Sequence, residues 1–236
     1  MKTLFIIALR NLIQAKERTL MLSLALSIVA LLLTIMLALS QGVSNTMRES
    51  ATTLVSGHVN VAGFYKAKVD DSFPLVTNVK EVEKTILEKL DGIDYTVIRQ
   101  RGWGKIISAT NRIQVSIHGV EIDKEPGLKK RLRLAPRSLY RENGDDKTVG
   151  DISRLSEANT AAIFAGQAKR LDVDVGDPLT LTTETLSGSV NTKDVRIVAI
   201  MKDVGFLSNW SIFTDARGLR ELYQLNENTS GAIQIY

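Results

Sequence analysis

The sequence contains no cysteine, two histidines and four prolines in 236 residues. Without cysteine there can be no disulfide, no thiolate metal site and no lipid-modified N-terminal cysteine. The histidines, His58 and His118, each fall on a predicted strand with no carboxylate at ligand spacing. Both are expected as half-buried strand residues rather than metal ligands. Phosphate and nucleophile signatures are missing as well: no Walker-type glycine loop, no Gly-x-Gly-x-x-Gly after a strand, no Gly-x-Ser-x-Gly elbow. The acidic pairs Asp70-Asp71 and Asp145-Asp146 stand in loop-like sequence and are expected as solvated charge. No catalytic, cofactor-binding or metal-binding residue is therefore assigned, and the chain is expected to be non-catalytic.

Charge is absent from one long stretch. Residues 19–47 carry none, and residues 20–39 are almost wholly Leu, Ile, Val, Ala and Met, broken only by Ser23, Ser27 and Thr34. Twenty helical residues rise about 30 Å, the thickness of a bilayer's hydrocarbon core. A soluble helix rarely stays apolar on every face for that length. A transmembrane helix is predicted over 19–40. Before it, Lys2, Arg10, Lys16 and Arg18 stand against Glu17, a net of +3 out of the chain's +4. The positive flank places the N-terminus in the cytoplasm and the rest of the chain outside it. The remainder carries only +1, which does not suit a nucleic-acid binder. Ala38-Leu39-Ser40 before Gln41 resembles a signal-peptide cleavage site. The long amphipathic lead and the length of the apolar run favour an uncleaved anchor in the inner membrane.

In residues 1–18, Leu4, Phe5, Ala8, Leu9, Leu12 and Ile13 recur at helical spacing opposite Arg10, Asn11, Gln14 and Lys16. That pattern predicts a cytoplasmic amphipathic helix along the membrane surface. Residues 41–56 continue the span as a polar, extracytoplasmic stalk helix that ends at Gly57. Beyond it the pattern alternates. Strands are predicted over 58–62, 95–100, 105–109, 113–120, 179–183, 195–201 and from 232, and helices over 78–90, 166–171 and 215–225. Residues 123–158 are charged, contain Pro126 and Pro136, and are expected to be loop-like and partly disordered. The fold class is α+β. Strand–helix–strand units at 57–100 and 194–236 suggest a ferredoxin-like, porter-type subdomain, with 101–193 as a β-rich insertion. Trp103 between Gly102 and Gly104, and Trp210 in a polar loop, are expected chiefly as core plugs, with exposed contact residues as the alternative.

Several segments stand out together as a series of motifs. They are Ala8-Leu9-Arg10-Asn11-Leu12 with Arg18-Thr19-Leu20, then Ser56-Gly57-His58-Val59-Asn60-Val61, and Val115-Ser116-Ile117-His118-Gly119-Val120-Glu121. Next come Ala165-Gly166-Gln167-Ala168-Lys169-Arg170-Leu171, Val175-Gly176-Asp177-Pro178-Leu179-Thr180-Leu181 and Ile212-Phe213-Thr214-Asp215. Together these segments resemble the MacB/FtsX superfamily of ABC-transporter permeases, and most of all its lipoprotein-releasing LolC/LolE branch; each motif is weak alone, and their order and spacing over nearly the whole chain make the match more specific. The resemblance implies a permease subunit, working with a cytoplasmic ABC ATPase and a second permease subunit. The cargo would be a lipoprotein or another amphiphile. Members of that family carry three further spans, whereas this sequence stops at Ile233-Gln234-Ile235-Tyr236, in mid-strand pattern, which suggests the N-terminal portion of a longer permease. The alternative is a single-span anchored periplasmic scaffold or adaptor without transport activity.

Overall fold

The computed structural model describes residues 6–7, 10, 14–66 and 72–236. Most of the amphipathic helix expected over 1–18, and the pair Asp70-Asp71, lie outside the described residues. Helix α1 runs over Lys16–Ala51, 36 residues without proline. It is the one helix among the described residues long and apolar enough to cross a membrane. Its leucines are exposed all round, from Leu20 to Leu39. Thr34 and Thr46 turn their hydroxyls back to the carbonyls of Ala30 and Gly42, at 2.8 and 2.9 Å, so neither presents an unsatisfied donor. The helix loosens into a π-helical turn, Thr52–Ser56, and stops at Gly57, whose φ of +69° suits a residue without a Cβ.

Residues 49–236 form a second unit. Its elements in chain order are β1 (Val59–Val61), β2 (Tyr65–Lys66), β3 (Ser72–Phe73), β4 (Val76–Thr77), α2 (Val79–Lys89), β5 (Thr96–Ile107), β6 (Arg112–Val120) and α3 (Pro126–Arg131). There follow β7 (Thr160–Phe164), α4 (Ala165–Leu171), β8 (Pro178–Glu184), β9 (Val190–Met201), β10 (Ser211–Asp215), α5 (Ala216–Leu222), β11 (Thr229–Ser230) and β12 (Ala232–Ile235). The main sheet has the order β1-β12-β5-β6-β10-β7-β9-β8, and β8 also pairs with β5. The second half of β5 thus closes a ring with β6, β10, β7, β9 and β8, while its first half carries β12 and β1 as an open wing.

Alternation along the ring strands sorts side chains to two faces. Ile106, Val115, Ile117, Ile163, Leu179, Leu181, Val195, Ile197 and Ile212 point inward and pack with Ala168 of α4 and Leu219 and Leu222 of α5. A bulge where β7 meets β9, between Ala161 and Ala162, shifts the alternation of β9, so that Ile197 and Ile200 both face inward. Helix α2 lays Val79 and Ile86 on Ile233 and Ile235 of the wing. The opposite face of the ring carries Val120, Ala162, Phe164, Val198, Met201 and Phe213. These are covered by Leu54 and by Ile122, Leu128, Leu132, Ile152 and Leu155.

Several expectations change here. Residues 123–158 are ordered: Leu128, Leu132, Ile152 and Leu155 are buried as cover on the outer face of the ring, while Ala135 and Tyr140 join the inner cluster. The segment's apolar residues are scattered over short 3-10 turns, one six-residue helix and the irregular chain between, so neither a 2.0 nor a 3.6 period shows. The strands expected at 95–100 and 105–109 are one strand. Glycines 102 and 104 interrupt its apolar pattern, yet they are required there. A Cβ on Gly102 would lie 1.9 Å from the Tyr223 hydroxyl, and one on Gly104 would lie 2.5 Å from the Thr182 carbonyl. With both glycines facing inward, Trp103 must face outward, and it is 62% exposed rather than a core plug. Trp210 is 45% exposed. Strands β7 and β10 were not anticipated; all five residues of each are buried, so neither alternates. The positions 100/101 and 193/194, where the sequence suggested divisions, fall within β5 and β9.

Candidate functional site: the helix exit and its buried ion pair

Residues 49–57 are bound into the sheet by polar contacts at nearly every step. Arg131 of α3 donates to Glu49 at 2.9 Å, and the Tyr236 hydroxyl donates to the Thr52 carbonyl at 3.3 Å. Gln234 of β12 donates its side-chain amide to the Val55 carbonyl. The His58 amide bonds the Ile235 carbonyl at 3.0 Å. Tyr236 and Gln234 thereby take up two of the carbonyls that any helix leaves unsatisfied at its end. Leu54 is fully buried between them, against the cover of the outer face.

Arg99 sits at the centre. It projects from β5 on the face opposite Ile98 and Gln100, and its Nη1 donates to the Leu54 carbonyl at 2.6 Å. Its Nη2 pairs with Oε2 of Glu125, the residue that precedes α3. The two side chains are 0% and 2% exposed. One guanidinium therefore links three separate pieces of chain: the helix exit, the central strand and the cover. Burial pushes the Glu125 carboxyl above its usual range, and Arg99 pulls it back only in part. Among the described residues Arg99 Nε and Glu125 Oε1 have no hydrogen-bond partner, so the pair is only partly compensated for its desolvation.

His118 lies beside this pair on β6, in register with Arg101 of β5 and Phe213 of β10. Its Nε2 is 3.2 Å from the Ser116 hydroxyl, and its ring centroid is 5.6 Å from that of Phe213. Burial, then the charges of Arg99 and Arg101, push its pKa down to about 3. A neutral, buried imidazole is neither a proton donor nor an exposed base at ordinary pH. The other histidine, His58, is exposed just before β1. Among the described residues no three His, Asp or Glu side chains converge as a metal ion would need. The Asp145-Asp146 pair does structural work, with the Ser138 hydroxyl donating to Asp146 at 2.6 Å.

The best-marked sequence motif, at 165–181, turns out to fix a loop. Gly176 adopts φ of +101°, and the Asp177 carboxylate accepts from the Asp174 amide at 2.7 Å. Arg137 holds Asp174 at 2.6 Å, and Tyr140 donates to it at 3.2 Å; burial first, and Asp174 second, push the Tyr140 hydroxyl up to about 12. The turn thereby ties the cover to the ring. Sequence reasoning passed over Arg99 and Glu125. The available signal was a charged residue in the middle of a strand whose neighbours Val97 and Ile98 are apolar.

No protein-family model matches the sequence, and no curated protein matches it. Solved structures with a similar outline include the extracellular domain of a noncanonic ABC-type transporter, YknZ, from Gram-positive bacteria. It shares 14% identity over 69% of this chain and 73% of that one, with a TM-score of 0.42. The periplasmic region of MacB from Actinobacillus actinomycetemcomitans shares 11% over 68% and 65%, at 0.41. A domain assigned to a permease of Porphyromonas gingivalis shares 15% over 75% and 73%, at 0.40.

Proposed function

We propose that this chain supplies the first span and the extracytoplasmic domain of an ABC-type permease subunit. It would work with a cytoplasmic ATPase and a second permease subunit to move a lipoprotein or another amphiphile. The N-terminus lies in the cytoplasm in this reading, following the basic flank before residue 19. A ferredoxin-like, porter-type relation of the strand–helix–strand units at 57–100 and 194–236, here β1-α2-β5 and β9-α5-β12, belongs to the same proposal. The chain itself is non-catalytic, and ATP hydrolysis falls to a separate subunit.

One observation carries the reading: residues 49–57, which leave the apolar helix, are bonded to β5, β12 and α3 through Arg99, Gln234, Tyr236 and Arg131. Force applied along the chain at Glu49 must act on the sheet before it can stretch that segment. A mere tether needs no such fixation, whereas a part that passes motion on does. The outward-facing Trp103 and Trp210 favour the other reading, a single-span scaffold that docks a partner.

The test is affinity purification of the full-length gene product from solubilised membranes, with mass spectrometry of its companions. An ABC-type ATPase is expected at stoichiometric yield, with hydrolysis that responds to the permease. A stable protein isolated without any ATPase would overturn the transporter reading and leave the scaffold.

A further inference from the structure

A basic groove lies beside the helix exit. Its volume is about 520 Å³, and its lining includes Glu49, Lys130, Arg131, Arg133, Lys202 and Asp203. Glu49 is already engaged by Arg131, and Asp203 accepts from the Gly166 amide at 3.3 Å. Lys130, Arg133 and Lys202 are exposed and, among the described residues, their side chains make no ion pair or hydrogen bond. Lys129 adds a further exposed cation next to them.

The backbone forces two of these charges together. Leu134 and Met201 form an antiparallel bridge, and the Lys202 amide bonds the Arg133 carbonyl at 2.8 Å. Arg133 and Lys202 therefore flank the same bridge with like charges, an arrangement that is unfavourable without an anion between them. The Lys129–Arg131 run closes α3, where cations complement the helix dipole, so folding itself delivers them to this spot.

We propose that this groove binds the phosphate of an anionic phospholipid headgroup in the leaflet that α1 leaves. The inference rests on α1 being a membrane span, and not on any ATPase partner. Leu39 closes the apolar run, and ten helical residues from there to Glu49 rise about 15 Å. Glu49 lines the groove, so this length of chain is all that separates the groove's rim from the end of the apolar run. A phosphate from solution offers the same charge, but only the lipid is held at high local concentration beside the groove.

The test uses the full chain in neutral-detergent micelles, titrated with phosphatidylglycerol or phosphatidylcholine, with retained lipid counted by native mass spectrometry. Each cation near an anionic surface strengthens binding about fivefold. At least tenfold preferential retention of phosphatidylglycerol is expected, weakening as salt rises. A triple variant, Lys130→Ser, Arg133→Ser and Lys202→Ser, should lose that preference with an unchanged thermal unfolding profile, since all three residues are exposed. Equal retention of the two lipids, or a preference untouched in the folded triple variant, would overturn the proposal. So would displacement of the phosphatidylglycerol by millimolar inorganic phosphate, which would make the groove a site for soluble anions. The ATPase purification is unaffected by any of these outcomes, so the two ideas fail separately.

Discussion

Glu125 and Arg99 are both buried, but removing one is not equivalent to removing the other. Glu125→Leu leaves a guanidinium with no exposed surface and a single remaining acceptor, the Leu54 carbonyl. Arg99 cannot discard its proton, because a guanidinium stays charged at any ordinary pH. An uncompensated buried charge costs about 3–5 kcal/mol. Arg99→Met leaves a carboxylate instead, and burial already raises the pKa of Glu125. That group can take up a proton, so the expected loss is smaller, about 1–3 kcal/mol, comparable to leaving a polar group unsatisfied. The double variant, with two apolar side chains, should lie nearer to wild type than Glu125→Leu does. Denaturant unfolding of the full chain in micelles, followed by fluorescence of Trp103 and Trp210, measures all three. The pH adds a second axis. Burial raises the folded pKa of Glu125, so the folded state binds the proton first, and the Arg99→Met penalty should shrink as pH falls toward the carboxylate range. A Glu125→Leu loss below about 1 kcal/mol, or an Arg99→Met loss that exceeds it at every pH, would refute the assignment of a charged, buried pair.

Three further outcomes follow from other parts of the structure. His118, with a folded pKa of about 3 against 6.5 unfolded, should make stability fall as pH drops below 6.5. The slope approaches about 1.4 kcal/mol per pH unit, and His118→Gln should flatten it in unfolding measured between pH 5 and 7. Gly102→Ala should cost about 2–4 kcal/mol, because the added Cβ displaces Tyr223 from the Thr183 hydroxyl and the Trp103 carbonyl, which its own hydroxyl meets at 2.7 and 2.9 Å. In a Tyr223→Ala background the same substitution should cost far less, a non-additivity that thermal unfolding of the four variants would read. The absence of cysteine makes topology mapping direct. Ser187→Cys, in the β8–β9 turn, should react with an impermeant maleimide in intact spheroplasts, and Thr3→Cys only after permeabilisation; the reverse pattern would invert the proposed orientation.

The parts of the fold that could be read from sequence are those where one face is wet. Helix α2 shows its apolar face through Val79, Val82 and Ile86 because Lys80, Glu81 and Lys84 occupy the other. Strand β8 alternates Leu179 and Leu181 with threonines because it has one face inside the ring and one toward solvent. Both are properties of a boundary between core and water, and periodicity reports only that boundary. Where a strand is covered on both faces, as Thr160–Phe164 and Ser211–Asp215 are, the pattern carries no period and the strand is lost. The cover at 121–158 fails for the opposite reason. It takes the shape of the surface it lies on, so its apolar residues fall at irregular intervals.

The helix exit was hidden by a subtler effect. On β5, Val97, Arg99, Arg101 and Trp103 share one face, and taken alone that series looks like a strand turning its polar side to water. The face is in fact divided along its length. Val97 and Arg99 lie under the helix exit and the cover, Arg101 at their margin, and Trp103 beyond them in solvent. A polar residue on a strand is thus ambiguous until the element above it is known, and here that element comes from residue 54, 45 positions earlier. The same argument explains why an arginine, and not a lysine, suits this position. Its planar fork can reach the Leu54 carbonyl with one nitrogen and Glu125 with the other, holding two segments in a fixed relation that a single ammonium would leave free to swing. Arg99→Lys should therefore retain most of the charge compensation while loosening residues 49–57, seen as faster hydrogen exchange at Gly57 and His58 with little change in global stability. Unchanged exchange at those amides would mean that Gln234 and Tyr236 alone fix the exit, and that the fork is incidental.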